Sequence, residues 1–341
     1  MQAIIQTGPR SVELQDRPEP APNADEALIE VVAAGLCGSD AHAYADSEGY
    51  EWTPTPRIIG HEYAGRVVKV GDGVDQVSPG DGVVEEPVYA CGRCYQCRNG
   101  QSNVCKNFEI IGMHTDGAYA EFRTADPDHL HHVPDGVPLE TAAIAEPISV
   151  AMRTVVTRSS TTPGDQVLVE GPGPIGTFTA VVADAIGADV LVTGLSADVH
   201  SRFPPLEQLG IDTLNVETDD AEERLASRPK ADGFDVVFDA TGHHTGIETA
   251  VTHVRKGGEI VVVGLPGAPS ELFLTDLVRG EVDLRTSYGS SWANFEQALH
   301  ALEDDINVAP LIDESYDLDD AASAFEDFLD SSVCKPVFRF A

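Results

Sequence analysis

The chain has 341 residues, with 57 acidic residues against 21 basic ones and a formal net charge of −36. A charge of this sign repels nucleic acid, and no apolar run approaches the roughly 18 residues that a membrane helix needs. The N-terminus lacks the basic leader of a signal peptide, so we expect a cytoplasmic protein whose length suits two domains.

The acidic residues are spread through patterned segments and are not gathered in a tail. Their mutual repulsion destabilises a compact state in dilute buffer, whereas salt of about 1 M shrinks the Debye length to about 3 Å. The composition therefore predicts a halophilic protein adapted to a salt-rich cytoplasm.

The predicted elements change in kind along the chain. To about residue 146, short β-rich runs such as 27–32 and 65–70 are broken by Gly and Pro, which indicates an irregular β-rich domain. Strands then alternate with helices, which predicts a doubly wound parallel sheet. This second pattern contains strands at 166–170, 190–193, 235–239 and 259–263, and its first helix is at 175–185.

The last fifty or so residues return to a mixed pattern, with helices at 295–302 and 321–329 and a closing strand at 336–340. We expect this tail to rejoin the first domain. The predicted fold class is therefore α/β, with a β-rich domain of residues 1–147 and 289–341. A doubly wound parallel-sheet domain of residues 148–288 lies between these two segments.

Four cysteines follow the spacing C-x2-C-x2-C-x7-C, namely Cys91, Cys94, Cys97 and Cys105. Tight turns at Gly92 and Gly100 would let four thiolates converge on one structural zinc ion with no open position. Disulfides are the plain alternative, but a cytoplasmic protein seldom forms them and such close pairs would be strained. An iron–sulfur cluster is a second alternative, although nothing else in the chain indicates electron transfer.

A second candidate metal site lies earlier in the chain. The run Cys37-Gly38-Ser39-Asp40-Ala41-His42 is followed by Gly60-His61-Glu62. One thiolate, one imidazole and one carboxylate would leave zinc an open position for water or substrate. Each piece alone is a weak signal, because a single Cys or His is more often a packed core residue.

A glycine-rich turn follows the predicted strand at 166–170. Gly171, Gly173 and Gly176 have the spacing G-x-G-x-x-G, and Pro174 stands at the start of the next helix. Such a turn lets the backbone approach a pyrophosphate at a helix N-terminus. The sequence therefore predicts a dinucleotide site here.

These motifs and their order resemble the zinc-containing medium-chain dehydrogenase family over essentially the whole chain. The resemblance implies a GroES-like catalytic domain with a structural zinc lobe at 88–108, followed by a Rossmann domain. It also implies that Cys37 and His61 bind the catalytic zinc and that Asp40 orients His61. Ser39 and His42 match the family's proton relay from substrate to solvent.

The third zinc ligand departs from the simple alcohol dehydrogenases, which have a cysteine there. This chain has Glu146 at the matching position, which resembles the polyol, sugar and butanediol branch of the family. In that branch either this glutamate or the one corresponding to Glu62 completes the metal shell. We therefore predict both as metal-site residues, with an exchange between them left open.

Cofactor choice depends on the end of the second strand of the Rossmann domain, where NAD enzymes carry an acidic residue. This chain has Thr193-Gly194-Leu195-Ser196 there, so NADP is favoured over NAD, with Ser196, His200 or Arg202 near the 2′-phosphate. If Arg202 instead faces solvent, both cofactors work. The predicted cofactor-binding residues are Gly171, Gly173, Pro174, Ile175, Gly176, Gly194, Ser196, Arg202 and Thr241.

We expect an enzyme with two zinc ions per chain that oxidises a secondary alcohol of a polyol, sugar or diol by hydride transfer to NAD(P). The alternatives are an L-threonine 3-dehydrogenase, a short secondary-alcohol dehydrogenase, or a non-catalytic zinc- and nucleotide-binding scaffold or sensor. The resemblance implies a homodimer or homotetramer. The expected binding partner is a small hydroxylated substrate, not nucleic acid or a membrane.

Three neighbouring histidines, His129, His131 and His132, are expected to be solvated.

Overall fold

The computed structural model describes residues 1–230, 232–312 and 314–340. The chain divides into two compact units, of which Met1–Ser149 with Ser290–Ala341 make the first and Val150–Gly289 makes the second. These bounds differ by two residues or fewer from the predicted domains. Residues 231, 313 and 341, which the predicted domains include, lie outside the described residues.

The strands are numbered in chain order. They are β1 (Gln2–Gly8), β2 (Ser11–Asp16), β3 (Ala27–Gly35), β4 (Arg57–Ile58), β5 (Glu62–Val70), β6 (Gly82–Glu85), β7 (Val88–Tyr89), β8 (Glu109–Ile110), β9 (Phe122–Ala125), β10 (Leu130–His132), β11 (Gln166–Glu170), β12 (Asp189–Gly194), β13 (Asp212–Asn215), β14 (Phe234–Asp239), β15 (Val254–Val262), β16 (Asp283–Thr286), β17 (Glu314–Tyr316) and β18 (Pro336–Arg339).

The α-helices are numbered in the same way. They are α1 (Gly38–Tyr44), α2 (Tyr95–Arg98), α3 (Leu139–Ala142), α4 (Ala145–Met152), α5 (Pro174–Ala185), α6 (Phe203–Gln208), α7 (Ala221–Ser227), α8 (Gly246–His253), α9 (Leu274–Gly280), α10 (Trp292–Asp304) and α11 (Ala321–Leu329). No helix of the described residues has both the length and the apolar character that crossing a membrane requires.

The first unit is built around a mixed sheet of order β10-β6-β5-β3-β18-β17, with β9 also paired to β3. The central strand β3 is buried along most of its length, as expected for a strand covered on both faces. Phe338 of β18 and Phe325 of α11 are fully buried in the same hydrophobic core. The C-terminal tail therefore returns to the first unit, as the sequence predicts.

The second unit is a six-stranded sheet of order β13-β12-β11-β14-β15-β16, in which every neighbouring pair is parallel. This order is that of the doubly wound dinucleotide-binding fold. Every residue of the central strand β11 is buried, and its bounds match the predicted strand. Helix α5 begins one residue before its predicted start because Pro174, which lacks an N–H, suits the first helical position.

The prediction that the three neighbouring histidines are solvated is wrong for His131. Its side chain is buried, and its Nδ1 lies 2.5 Å from Glu296 Oε1. Its ring stacks on Phe295 and lies 3.7 Å, between centroids, from the ring of Trp292. The sequence argument failed because β10 turns this middle residue inward, whereas His132 stays exposed.

Candidate metal clusters and cofactor pocket

Cys37, His61 and Glu62 form the first cluster of metal-ligand atoms, which lie within 4.8 Å of one another. Antiparallel pairing of β3 with β5 sets Gly35 opposite Glu62, so the ends of these two strands bring the three side chains together. Cys37 is the residue immediately before α1. The predicted ligands therefore meet through the sheet, although they come from separate segments.

Asp40 is fully buried beside this cluster, with Oδ1 3.3 Å from His61 Nδ1. A carboxylate beside Nδ1 leaves Nε2 as the ring nitrogen available to a metal ion. Burial alone would lower the pKa of His61, but the charges of Asp40 and Cys37 outweigh it and raise that pKa well above its usual value. Burial would raise the pKa of Asp40, yet His61 and Tyr119 hold it below its usual value.

Tyr119 is a site residue that sequence reasoning missed. Its hydroxyl lies 3.0 Å from Asp40 Oδ2 and 2.8 Å from the carbonyl oxygen of Gly35. Gly60 has φ +92, and a Cβ atom at this position would overlap the Tyr119 ring. The glycine before His61 therefore allows the aromatic ring to pack against the metal cluster.

Glu146, at the start of α4, lies at the edge of the cluster and not within its 4.8 Å group. Burial raises the pKa of its carboxyl group to about 7, with the charge of His61 acting against this rise and that of Glu62 adding to it. Glu62 itself is fully buried, and its Oε1 has no hydrogen-bond partner among the described residues. These positions leave Glu62 closer to Cys37 and His61 than Glu146 is.

Ser39 and His42 both lie on α1. The Ser39 hydroxyl donates to Cys37 Sγ at 3.2 Å, whereas His42 Nδ1 lies 3.3 Å from Ser47 Oγ and its ring stacks on Tyr50. The ring of His42 is exposed but partly covered by its neighbours, and this partial loss of hydration lowers its pKa. These contacts place Ser39 at the cluster and the exposed His42 away from it, and they do not join the two groups directly.

The second cluster consists of Cys91, Cys94, Cys97 and Cys105, whose sulfur atoms lie within 4.8 Å of one another. The Cys94 sulfur is 3.4 Å from that of Cys97 and 3.8 Å from that of Cys105, and none of the four is in a disulfide. Gly92 and Gly100 adopt positive φ, which bears out the predicted tight turns.

The donor sets of both clusters fit zinc. Four sulfurs at 2.3 Å from a tetrahedral zinc lie about 3.8 Å from each other, close to the observed separations. Backbone N–H groups lower the pKa of Cys94 to about 6, whereas burial and the neighbouring thiols raise the pKa of Cys97, so the fit to zinc rests on the separations of the sulfurs. In the first cluster, a thiol, an imidazole and a buried carboxylate oxygen without a partner suit a zinc site with an open position.

A cavity of about 690 Å³ lies in the second unit at the carboxyl ends of β11, β12 and β14. Gly171 has φ +94, and a Cβ atom at Gly176 would overlap the Gly171 carbonyl oxygen, so both glycines are required by the close turn. Of the predicted cofactor residues, Gly171, Gly173, Gly194, Arg202 and Thr241 line the cavity. Pro174, Ile175, Gly176 and Ser196 are not in its lining.

The cavity also contains a carboxylate that the sequence argument did not count. Asp198 lines it, accepts the Leu195 N–H at 2.8 Å and lies 3.2 Å from Arg202 Nη1. The Arg202 side chain is largely buried, and its Nε has no hydrogen-bond partner among the described residues. The alternative that Arg202 is a solvent-facing residue is therefore wrong, but its charge is shared with Asp198.

Known proteins match this chain over nearly its full length. Residues 23–135 match the model of the alcohol dehydrogenase GroES-like domain, and residues 174–304 match that of zinc-binding dehydrogenases. A sorbitol dehydrogenase of Halalkalibacterium halodurans is 33% identical over 95% of each chain. An L-threonine 3-dehydrogenase of Saccharopolyspora erythraea is 30% identical over 96% of this chain and 95% of its own.

The chain belongs to the zinc-containing medium-chain dehydrogenase family. A solved structure described as a short chain alcohol dehydrogenase of E. coli CFT073 with NADH superposes with a TM-score of 0.90, at 28% identity over 100% of this chain and 99% of that one. The family, the fold class and the enzyme class that the sequence predicts are thereby confirmed. The protein is an NAD(P)-dependent alcohol or polyol oxidoreductase that uses zinc and a nicotinamide cofactor.

Proposed function

We propose that the protein oxidises a secondary hydroxyl group of a polyol, sugar or diol, with one zinc ion at the Cys37–His61 cluster and a second at the four cysteines. The observation that carries this proposal is the carboxylate composition of the first cluster, where Glu62 joins one thiol and one imidazole and Glu146 lies at the edge. The similarity to a sorbitol dehydrogenase supports the same substrate class.

Cys37, His61 and a carboxylate of Glu62 or Glu146 would hold the catalytic zinc. When bound, zinc supplies Lewis acidity that lowers the pKa of a substrate hydroxyl from about 16 toward 7. Asp40 holds the imidazole of His61 in the orientation that exposes Nε2. The imidazole of His61 is thereby held in position before a substrate binds.

The proton leaves through this chain's own groups. Ser39 Oγ, beside Cys37, would accept the proton of the substrate hydroxyl and pass its own proton to His42 through an intervening water or hydroxyl group, because the two side chains are not in direct contact. The imidazole would then release the proton to solvent. A bound nicotinamide would accept the hydride of the carbinol carbon, so that the substrate would lose two electrons and become a carbonyl compound. In this scheme Ser39 relays the proton, Asp40 orients His61, and His42 releases the proton to solvent.

A panel of polyols, aldoses, diols and L-threonine, assayed with both cofactors, tests the substrate class. We expect the highest kcat/KM with a polyol, sugar or diol. The similarity to a threonine dehydrogenase makes L-threonine the second candidate, and a preference for it would overturn the first. About one zinc ion per chain without turnover would instead support a non-catalytic scaffold.

NADP is the proposed cofactor, because Arg202 is the side chain in the cavity that offers a cationic donor with a partnerless Nε. Asp198 opposes this preference by sharing the charge of Arg202. We expect Arg202→Gln to lower kcat/KM for NADP and leave that for NAD nearly unchanged. The exposed Arg279→Gln is the control, and a wild-type preference for NAD overturns the proposal.

A homodimer or homotetramer is the proposed assembly. Phe273, Leu274 and Val278 are more than 60% exposed, and they lie at or on α9 beside the edge strand β16. Apolar side chains next to an unpaired strand edge favour pairing with a second copy. Light scattering should give a mass above 36.3 kDa, and Val278→Glu should lower it.

The proposed location is a salt-rich cytoplasm. The net charge of −36 should make the unfolding temperature rise steadily as KCl increases from about 0.1 M toward about 3 M, because salt screens the repulsion. An unfolding temperature that falls over this range would contradict adaptation to salt.

A further inference from the structure

Lys335 is a fully buried lysine that the reaction scheme above does not use. Its ammonium group contacts Glu62 Oε2 and donates to the carbonyl oxygen of Leu36 at 2.8 Å. A lysine is rarely buried without a paired charge, because removing an ammonium from water is costly. The partner here is one of the proposed zinc ligands.

The sheet brings this lysine to the metal cluster from the far end of the chain. β18 pairs with β3 in antiparallel register, with Val337 opposite Gly35, and the Leu36 N–H donates to the carbonyl oxygen of Pro336 at 3.0 Å. Lys335 therefore stands beside the residue that precedes Cys37. The other neighbour of β3, β5, begins with Glu62.

Gly35 provides the space for the ion pair. A Cβ atom at this position would overlap Glu62 Oε2 and would lie 3.1 Å from Lys335 Cε. The glycine has no positive φ that would require it, so the close approach of these two side chains is the reason for its small size.

We propose that Lys335 is a positioning residue of the catalytic metal site. By holding Glu62 Oε2, it fixes the orientation of the carboxylate and leaves Oε1 for the metal. It thereby makes Glu62 the resting carboxylate ligand and leaves Glu146 outside the cluster. This inference rests on the proposed catalytic zinc and answers which glutamate binds it at rest.

The charges in the site support this role. Lys335 places a cation on the side of Glu62, in an ion pair whose two side chains are both buried, and the carboxyl groups of Asp40 and Glu146 lie around the same cluster. An outer partner of this kind orients a ligand without touching the metal, and its loss weakens metal binding by about 10- to 100-fold in other sites.

The test compares Lys335→Met with Lys69→Met, an exposed lysine on the same strand as Glu62. Cobalt replaces zinc in the holoenzyme, and subtraction of the Cys37→Ala spectrum isolates the absorption bands of the catalytic site. Lys335→Met should shift these bands and weaken zinc binding by about 10- to 100-fold in a chelator competition, whereas Lys69→Met changes neither. Unchanged bands and affinity in folded Lys335→Met overturn the proposal.

Loss of one partner of a buried ion pair can prevent folding, so two further variants keep the test decisive. Lys335→Met combined with Glu62→Gln removes both charges and should give the same cobalt bands as Glu62→Gln alone, because the lysine acts through that carboxylate. Gly35→Ala, which changes no charge, should reproduce the shift of Lys335→Met. An additional shift in the double variant, or none in Gly35→Ala, contradicts the inference.

The same measurements separate this inference from the proposed function. Wild-type protein that binds one cobalt ion per chain, at the four cysteines alone, contradicts the catalytic zinc itself. Two ions per chain with bands that do not respond to Lys335→Met overturn only the role of the lysine.

Discussion

The two metal clusters of the first unit are assembled in opposite ways. Cys91, Cys94, Cys97 and Cys105 come from one short segment, and backbone N–H groups of Cys91 and Asn107 donate to the Cys105 sulfur. The ligands of the other cluster, Cys37, His61 and Glu62, come from separate strand ends. Two of them contact the buried charged side chains of Asp40 and Lys335. The first cluster is a local structure, whereas the second depends on the whole sheet.

This difference predicts which property of the protein a substitution in each cluster changes. Loss of a thiol in the local cluster should release its zinc and loosen one lobe, while the chemistry elsewhere continues. Loss of a group in the sheet-built cluster should remove activity while most of the fold remains, because the surrounding core of β3, β5 and β18 is formed by buried hydrophobic side chains.

Cys37→Ala gives the largest expected effect. Turnover should fall by about 10³-fold or more, since the Lewis acidity that it helps to hold supplies several kcal/mol of transition-state stabilisation. Zinc should drop from two ions to one per chain, measured by atomic emission, and dinucleotide binding should persist in a fluorescence titration. Retained turnover after loss of this zinc would falsify the assignment.

Asp40→Asn tests the charged contacts of the same cluster. The amide cannot stabilise His61 as a carboxylate does, so zinc affinity or kcat should fall by about 10- to 100-fold. A chelator competition measures the affinity. Tyr119→Phe should lower zinc affinity or kcat less than Asp40→Asn does, because it removes one hydroxyl group beside Asp40 and keeps the carboxylate charge of Asp40. If Asp40→Asn binds zinc and turns over like the wild type, Asp40 does not orient His61.

His42→Gln should lower kcat by only about tenfold, less than the 10²- to 10⁴-fold of an enclosed acid–base group, because water can reach this exposed position. The imidazole must be neutral to accept a proton, and the partial covering of its ring, which still leaves it open to water, lowers its pKa. The acidic limb of the rate profile should therefore lie below pH 6.5 in the wild type and disappear in the variant. His300→Gln, an exposed change on α10, should keep that limb.

The sequence predicted the parts of the molecule that local pattern determines. The strand at 166–170, the helix at 321–329 and the turns at Gly92 and Gly100 all have their predicted places, since each follows from short-range periodicity or from glycine. The glycine-rich turn at 171–176 and the four-cysteine segment at 91–105 could likewise be assigned a chemistry from their spacing.

Contacts between distant segments could not be predicted in the same way. Lys335 reaches Glu62 only because β18 joins β3, and Tyr119 reaches Asp40 only because Gly60 admits its ring. Nothing in the sequence near these residues signals either contact. His131 shows the converse, because its polar neighbours suggested a solvated position that the inward face of β10 contradicts.

Cys105→Ser should have the smallest effect on catalysis and completes the contrast between the clusters. Zinc should fall to one ion per chain and the unfolding temperature by several degrees, because the lobe loses the metal ion that would link its four cysteines. At low temperature kcat should stay nearly unchanged, since this lobe contacts neither Cys37 nor His61 through its sulfurs. Cys334→Ser, a buried thiol outside both clusters, should keep two zinc ions. A loss of turnover as deep as that of Cys37→Ala, in protein that is still folded, would mean that the four-cysteine lobe takes part in the reaction and that the two clusters are not independent.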